Sequence, residues 1–148
     1  MSAFLAFLHH VAAFVIFAAL VVEFVTLKDP LTLQSARRLL RADQIYGAAA
    51  GILLVVGLLR VFHFEKGASF YFGNPSFIAK LGLFISVGLL SIVPTIRFLS
   101  WRSALKQGQV PAVDPRVLRM LRAIVHGELA GLVLILLFAA LMARGIGY

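Results

Sequence analysis

The sequence predicts an all-α integral membrane protein: an up-down bundle of four transmembrane helices with both termini on the extracytoplasmic side. Three observations lead there. Of the 148 residues, 61% are hydrophobic and the mean hydropathy is +0.99, more apolar surface than one small soluble core can bury. Separate stretches reach the roughly 20 apolar residues that a spanning helix needs. Lysine and arginine gather in alternate connections, the asymmetry that orients multi-pass chains.

The first stretch, residues 3–27, contains "AFLHHVAAFVIFAALVVEFV". It lacks a basic leading region, and positive charge follows it, which is unlike a cleavable signal peptide. The second, third and fourth stretches are residues 44–63, 76–99 and 117–142, with Asn74-Pro75 well placed to start the third helix. Between them, "KDPLTLQSARRLLRAD", "FEKGASFYFGNP" and "SWRSALKQGQVPAVDPR" carry the Pro, Gly and charge expected of loops. Lys28, Arg37, Arg38 and Arg41 make loop 28–43 cytoplasmic, and Arg102, Lys106 and Arg116 do the same for loop 100–116. The second loop has Lys66, with Arg60 and Lys80 at its edges. The formal charge of +8 is therefore a topology signal and a contact with anionic lipid, with no nucleic-acid role. The absence of cysteine excludes disulfide, thiolate-metal and Fe–S chemistry. The expectation is a single domain, 1–148, spanning a bacterial inner (cytoplasmic) membrane several times.

Up-down connectivity sorts the polar residues into two layers. His9, His10, Arg60, His63 and Lys80 fall in the outer layer; Glu23, Asp43, Tyr46, Arg97, His126 and Glu128 fall in the inner one. At about 1.5 Å per residue, His126 and the His9/His10 pair differ in depth by roughly 15 Å, so they do not make opposite axial ligands of one haem. At about 100° per residue His9 shares a face with Glu23, and His10 diverges from it. His10 is preferred slightly as a ligand because it lies deeper, while the small-residue face of Ala12, Ala13, Ile16 and Ala19 argues for His9. Gly47, Ala50, Gly51 and Leu54 on the second helix, and Gly127 and Gly131 on the fourth, read as sites of close helix approach.

An imidazole in a dry bundle beside Arg60 and Lys80, with His63 in reach, suits an anionic cofactor with a central metal. Haem b fits, with imidazole on iron and the basic groups on propionates. Alternatively, the histidines are hydrogen-bonded interface residues, and Arg60, His63 and Lys80 snorkel to headgroups. Copper at His9, His10 and His63 is a further alternative, although no H-x-x-x-H motif is present. The inner layer reads either as ion pairs between the acids and a ring of arginines, or as a proton relay or carboxylate metal site. Phe70, Tyr71 and Phe72 read as an interfacial aromatic belt, or as a lid with Tyr71 against a porphyrin edge or a quinone.

The strings "FLHHVAAF", "DQIYGAAAG", "GLLRVFHFEKGASFYFGNPSFIAKL", "LLSIVPTIRFLSWR" and "HGELAGL…AALMARG" resemble a bacterial family of four-helix membrane proteins over essentially the whole chain. More distantly, the layout is similar to the superfamily of HemJ-type protoporphyrinogen oxidases and CopD-type copper-resistance proteins. HemJ proteins likewise have an early-helix histidine and an "AKL"-like lysine. That resemblance implies His9 or His10 as a haem ligand, Lys80 as the matching lysine, and an oxidoreductase of the porphyrinogen-oxidase type. Ser76, Phe77 and Ile78 stand where a Trp-Leu-His run is typical. The expected function is a membrane redox protein binding haem b or a porphyrin in the outer half, for electron transfer to quinone or for porphyrinogen oxidation. CopD-like metal binding or transport is one alternative. A non-catalytic subunit of a homo-oligomer or larger membrane complex is the other.

Overall fold

Hydrocarbon offers no partner to a backbone N–H or C=O, so long apolar runs fold as helices that satisfy their own hydrogen bonds. The structure, a computed structural model, describes residues 2–64 and 68–144, except for the side chains of 2, 64, 68 and 70. Its helices are α1 (Ser2–Thr26), α2 (Leu33–Leu59) with a π-helical turn at Arg60–Phe64, α3 (Ala68–Phe72), α4 (Pro75–Ser100), α5 (Arg102–Lys106) and α6 (Pro115–Ala143). Four segments are long and apolar enough to cross a membrane: Ala3–Thr26, Leu33–His63, Pro75–Lys106 and Pro115–Ala143. "Inner" below means the end of the α1–α2 and α4–α6 connections, and "outer" the end of the α2–α4 connection.

Helix α2 starts well before residue 44, taking in most of the expected loop 28–43. The hydroxyl of Thr32 accepts from the Ser35 N–H at 3.1 Å, and the Thr32 N–H donates to the Ser35 hydroxyl at 2.7 Å. This reciprocal capping box nucleates the helix. Beyond it Ala36, Leu39 and Ala42 are buried while Arg37, Arg38 and Arg41 are exposed. The charges that read as a loop are one face of an amphipathic turn. The other starts lie close to expectation: Asn74 accepts from the Phe77 N–H at 3.1 Å with Pro75 next, and Asp114 accepts from the Arg116 N–H at 2.7 Å with Pro115 next. Gly108, at φ +71°, supplies the left-handed residue just after α5.

Antiparallel pairing makes two hairpins, α1 along α2 and α4 along α6; α1 also meets α6, and α2 meets α4. A Cβ built on Gly131 lies 2.5 Å from Val87 Cγ2, so glycine is what lets α6 approach α4 there. Gly47 and Gly51 are different. Both are exposed, and a Cβ on either meets nothing within 4 Å. Their expected part in helix approach is not found among the described residues.

The core lies in the inner half, around Ile16, Leu20, Leu39, Phe98, Leu121 and Val125, with Trp101 and Leu105 closing its end. Among the described residues α6 has no buried position after Gly131, and α1 has none before Ala12. A smaller patch of Val61, Tyr71 and Phe77 packs at the outer end. Phe4, Phe14, Val55, Leu89, Ile96 and Leu136 are exposed, as suits helices whose outer faces meet lipid. The hydroxyls of Ser86, Ser91 and Ser100 donate to carbonyls three or four residues back, so these polar groups need no lipid partner. Arg122 Nε donates to the Leu27 carbonyl at 3.1 Å, and Arg37 Nη2 to the Leu105 carbonyl at 3.3 Å. Arg122 thus satisfies a carbonyl left over at the end of α1, and Arg37 adds a second donor to a carbonyl that already accepts from the Gly108 N–H.

Candidate functional site

Three acids from three helices are buried in the inner half. Glu23 on α1 is 1% exposed, Asp43 on α2 4%, and Glu128 on α6 0%. Asp43 and Glu128 are both close enough to Glu23 to act on it electrostatically, as Asp43 is to Glu128. Helix α4 adds neutral polar groups: the Thr95 hydroxyl donates to Asp43 Oδ1 at 2.6 Å, and Ser91 lies beside the hydroxyl of buried Tyr46. Glu23 Oε1 and both Glu128 oxygens are buried with no hydrogen-bond partner among the described residues.

Among the described residues, the ring of arginines expected around these acids is not formed. Arg97 is exposed in a groove of about 340 Å³ with Trp101, Asp114 and Val117, and Arg122 is committed to the Leu27 carbonyl. His126 is also exposed, its ring 5.6 Å from that of Phe24, over which the Lys28 ammonium sits at 4.4 Å. The reason is angular. His126 is two residues from Glu128, and Arg97 two from Thr95, which turns each roughly 200° from the acid-facing side. The cluster therefore keeps Glu23, Asp43, Tyr46 and Glu128 and leaves out Arg97 and His126. Thr95 and Ser91 are the members that sequence reasoning missed. Two hydroxyls four residues apart in an apolar helix were the available signal.

At the outer level the two histidines diverge. His9 is half-buried against α2, where a Cβ on Gly57 would lie 3.4 Å from its Cε1 and 3.6 Å from its Nδ1. Its ring faces the Leu53 carbonyl, its Nδ1 has no partner, and Arg60 and Lys80 are close enough to act on it. His10 is exposed, with Nδ1 2.6 Å from the Ala6 carbonyl oxygen; the two rings stand 6.2 Å apart at 84°. His63 is exposed on the π turn, and the Lys80 ammonium sits 5.2 Å above the Phe77 ring. Tyr71 is buried with its ring 5.2 Å from Phe77. Asn74, fully buried beside them, has an unpartnered Nδ2. The structure thus gathers His9, Arg60 and Lys80 and turns His10 outward. Residues 65–67, with Lys66, and the side chain of Phe70 lie outside the described residues. Among the described residues, no three His, Asp or Glu side chains are grouped to hold a metal ion.

No curated protein and no solved structure matches the chain, so the comparisons do not support the expected likeness to HemJ-type and CopD-type proteins. Residues 1–147 match the family described as "Predicted membrane protein (DUF2214)". With its four membrane-crossing segments in a single bundle, the chain belongs to that family of multi-pass membrane proteins.

Proposed function

We propose that this membrane protein handles protons through the acids of its inner half. The observation behind this reading is the burial of Glu23, Asp43 and Glu128 within electrostatic reach of one another, with three carboxyl oxygens lacking any hydrogen bond among the described residues. Ionisable groups at such depth are costly, and where they persist they mark ion or proton pathways. The cluster sits in the more tightly packed half of the bundle, where water has least access and a proton needs carriers. Glu128 and Glu23 take and release the proton, Asp43 is oriented by Thr95, and Tyr46 extends the polar line towards mid-membrane. The charge asymmetry of the connections supports an orientation with these acids towards the cytoplasm of a bacterial inner membrane. The test is proton flux into liposomes containing the purified protein, under an imposed potential. Flux is expected from the native chain and lost in Glu128→Gln; native liposomes no leakier than empty ones overturn the reading.

A second reading, a redox protein holding haem b or a porphyrin in the outer half, has one specific observation in its favour. The hydrogen bond from His10 Nδ1–H to the Ala6 carbonyl leaves Nε2 as the lone-pair nitrogen, the tautomer an axial ligand needs. His10 lies on an exposed face with Phe7 and Phe14, so a second copy or another subunit would have to cover the group. Haem, when bound, supplies one-electron redox chemistry. His9 holds α1 against Gly57, and Arg60 and Lys80 lie beside it rather than beside His10. A reduced-minus-oxidised spectrum lost in His10→Ala and kept in His9→Ala supports this. Bound copper without a Soret band points to a CopD-like metal binder, and neither signal removes the redox reading and leaves a non-catalytic subunit.

A further inference from the structure

Away from both polar layers, α1 and α2 flank a groove of about 800 Å³ on the outside of the bundle at its inner end. Its α1 wall is apolar, including Val15, Ala18 and Val22. Its α2 wall presents Arg37, Arg38 and Arg41, which recur along one side of the helix and are exposed. No carboxylate lines it. Arg41 is level with the last turn of α1, since the antiparallel register sets His9 beside Gly57. The cationic end therefore lies at headgroup depth and the apolar end in the hydrocarbon. One face thus offers an anion site and an adjoining acyl channel, with alanines rather than bulky side chains along its floor.

We propose that this groove binds one anionic phospholipid, its phosphate held by Arg37, Arg38 and Arg41 and an acyl chain lying along Val15, Ala18 and Val22. Charge complementarity selects the headgroup, because a zwitterionic lipid brings its own cation to the arginines and gains less. An acyl chain is required as well as charge, because the arginines alone would serve any phosphate. The inference is independent of the proton and haem readings, neither of which uses these residues.

The experiment is native mass spectrometry of the full chain, titrated with phosphatidylglycerol or phosphatidylcholine of the same acyl chains, and with glycerol phosphate as the chainless anion. One phosphatidylglycerol is expected to remain bound, with phosphatidylcholine and glycerol phosphate each retained at least about tenfold less. Arg38→Gln with Arg41→Gln should weaken phosphatidylglycerol about 10- to 30-fold, from the loss of two near-surface cations. Arg102→Gln with Arg119→Gln, the same charge change elsewhere, should leave it unchanged. Ala18→Trp fills the channel and should also displace the lipid while all arginines remain. Equal retention of the two lipids, equal loss in both double variants, or competition by glycerol phosphate at the lipid's own concentration overturns the proposal.

Discussion

Gly131→Ala tests whether the α4–α6 seam is set by a glycine contact. The added Cβ lies 2.5 Å from Val87 Cγ2, against about 3.5–4.0 Å for an ordinary carbon contact, so at least about 1 Å must be found. Val87 cannot supply it easily: it is 6% exposed, and a valine in a helix has one strongly preferred χ1. The strain then falls on the helix separation, and overpacking of that kind costs about 1–3 kcal/mol. Alanine is also a better helix former than glycine by up to ~1 kcal/mol in water, which would mask part of the effect. Gly51→Ala is the reference, because it makes the same exchange where a Cβ meets nothing within 4 Å. Relative to Gly51→Ala, Gly131→Ala should lower the folding equilibrium constant about 5- to 150-fold. Reversible unfolding in mixed micelles with increasing dodecyl sulfate measures this. The single tryptophan, Trp101, buried with its ring 5.1 Å from Phe98, is the reporter. Adding Val87→Ala to Gly131→Ala should recover most of the loss, as expected for two residues in contact. Equal stability of the two alanine variants, or no recovery in the double variant, refutes the reasoning.

Thr95→Val removes the donor that Asp43 accepts at 2.6 Å and should cost about 1–3 kcal/mol in the same unfolding assay, the usual penalty for stranding a buried polar group. Asp43→Asn, which keeps an acceptor oxygen, should cost less. Arg122→Gln should speed hydrogen exchange in the last turn of α1, because the Leu27 carbonyl loses its side-chain donor; unchanged exchange there would show the contact to be incidental. In intact cells, cysteine introduced at Ser103 should resist an impermeant thiol reagent while one at Ser69 reacts, both positions being exposed. The opposite pattern would invert the orientation taken from the positive charges.

Hydropathy made the spanning segments legible because lipid imposes one dominant requirement, a helix of about 20 apolar residues. It failed at 33–43, where a charged helical turn and a loop have the same composition. Only the Thr32–Ser35 pairing distinguishes them, and two hydroxylated residues three apart is a weak pattern. Depth was also readable, since it follows from counting residues; the inner acids do lie at one end and His9, Arg60 and Lys80 at the other. Facing was less so. Gly47 and Gly51 have the same spacing as Gly127 and Gly131, yet only the α6 glycines meet a neighbouring helix. Which side of a helix is inward depends on how its neighbours are arranged, and periodicity within one helix is silent on that. The assumption that acids and arginines in one layer must pair failed for the same reason, with Arg97 and His126 turned away from the acids they share a depth with.

The inner half is closely packed despite its acids. Phe98, Leu121 and Val125 are fully enclosed there, each worth about 1.5–3 kcal/mol of burial in an aqueous reference, a gain that shrinks when the alternative is lipid. Arg122 and Arg37 tie α1 to α6 and α2 to α5 through backbone carbonyls, so closure does not depend on the acids. Nor would packing favour them. Leucine or methionine at 23 and 128 would occupy similar volume without stranding carboxyl oxygens, an exchange that is often neutral or stabilising in buried charged sites. A helix seam that needed only cohesion would use such residues. The three carboxyls instead come from both hairpins and are buried in the same half, with Thr95 of α4 bonded to Asp43 and Ser91 beside Tyr46. The proposed proton handling would account for them, and the stability of Glu128→Leu separates the two accounts. A variant at least as stable as the native chain, but without proton flux, assigns the acid to function; a variant that loses stability assigns it to packing.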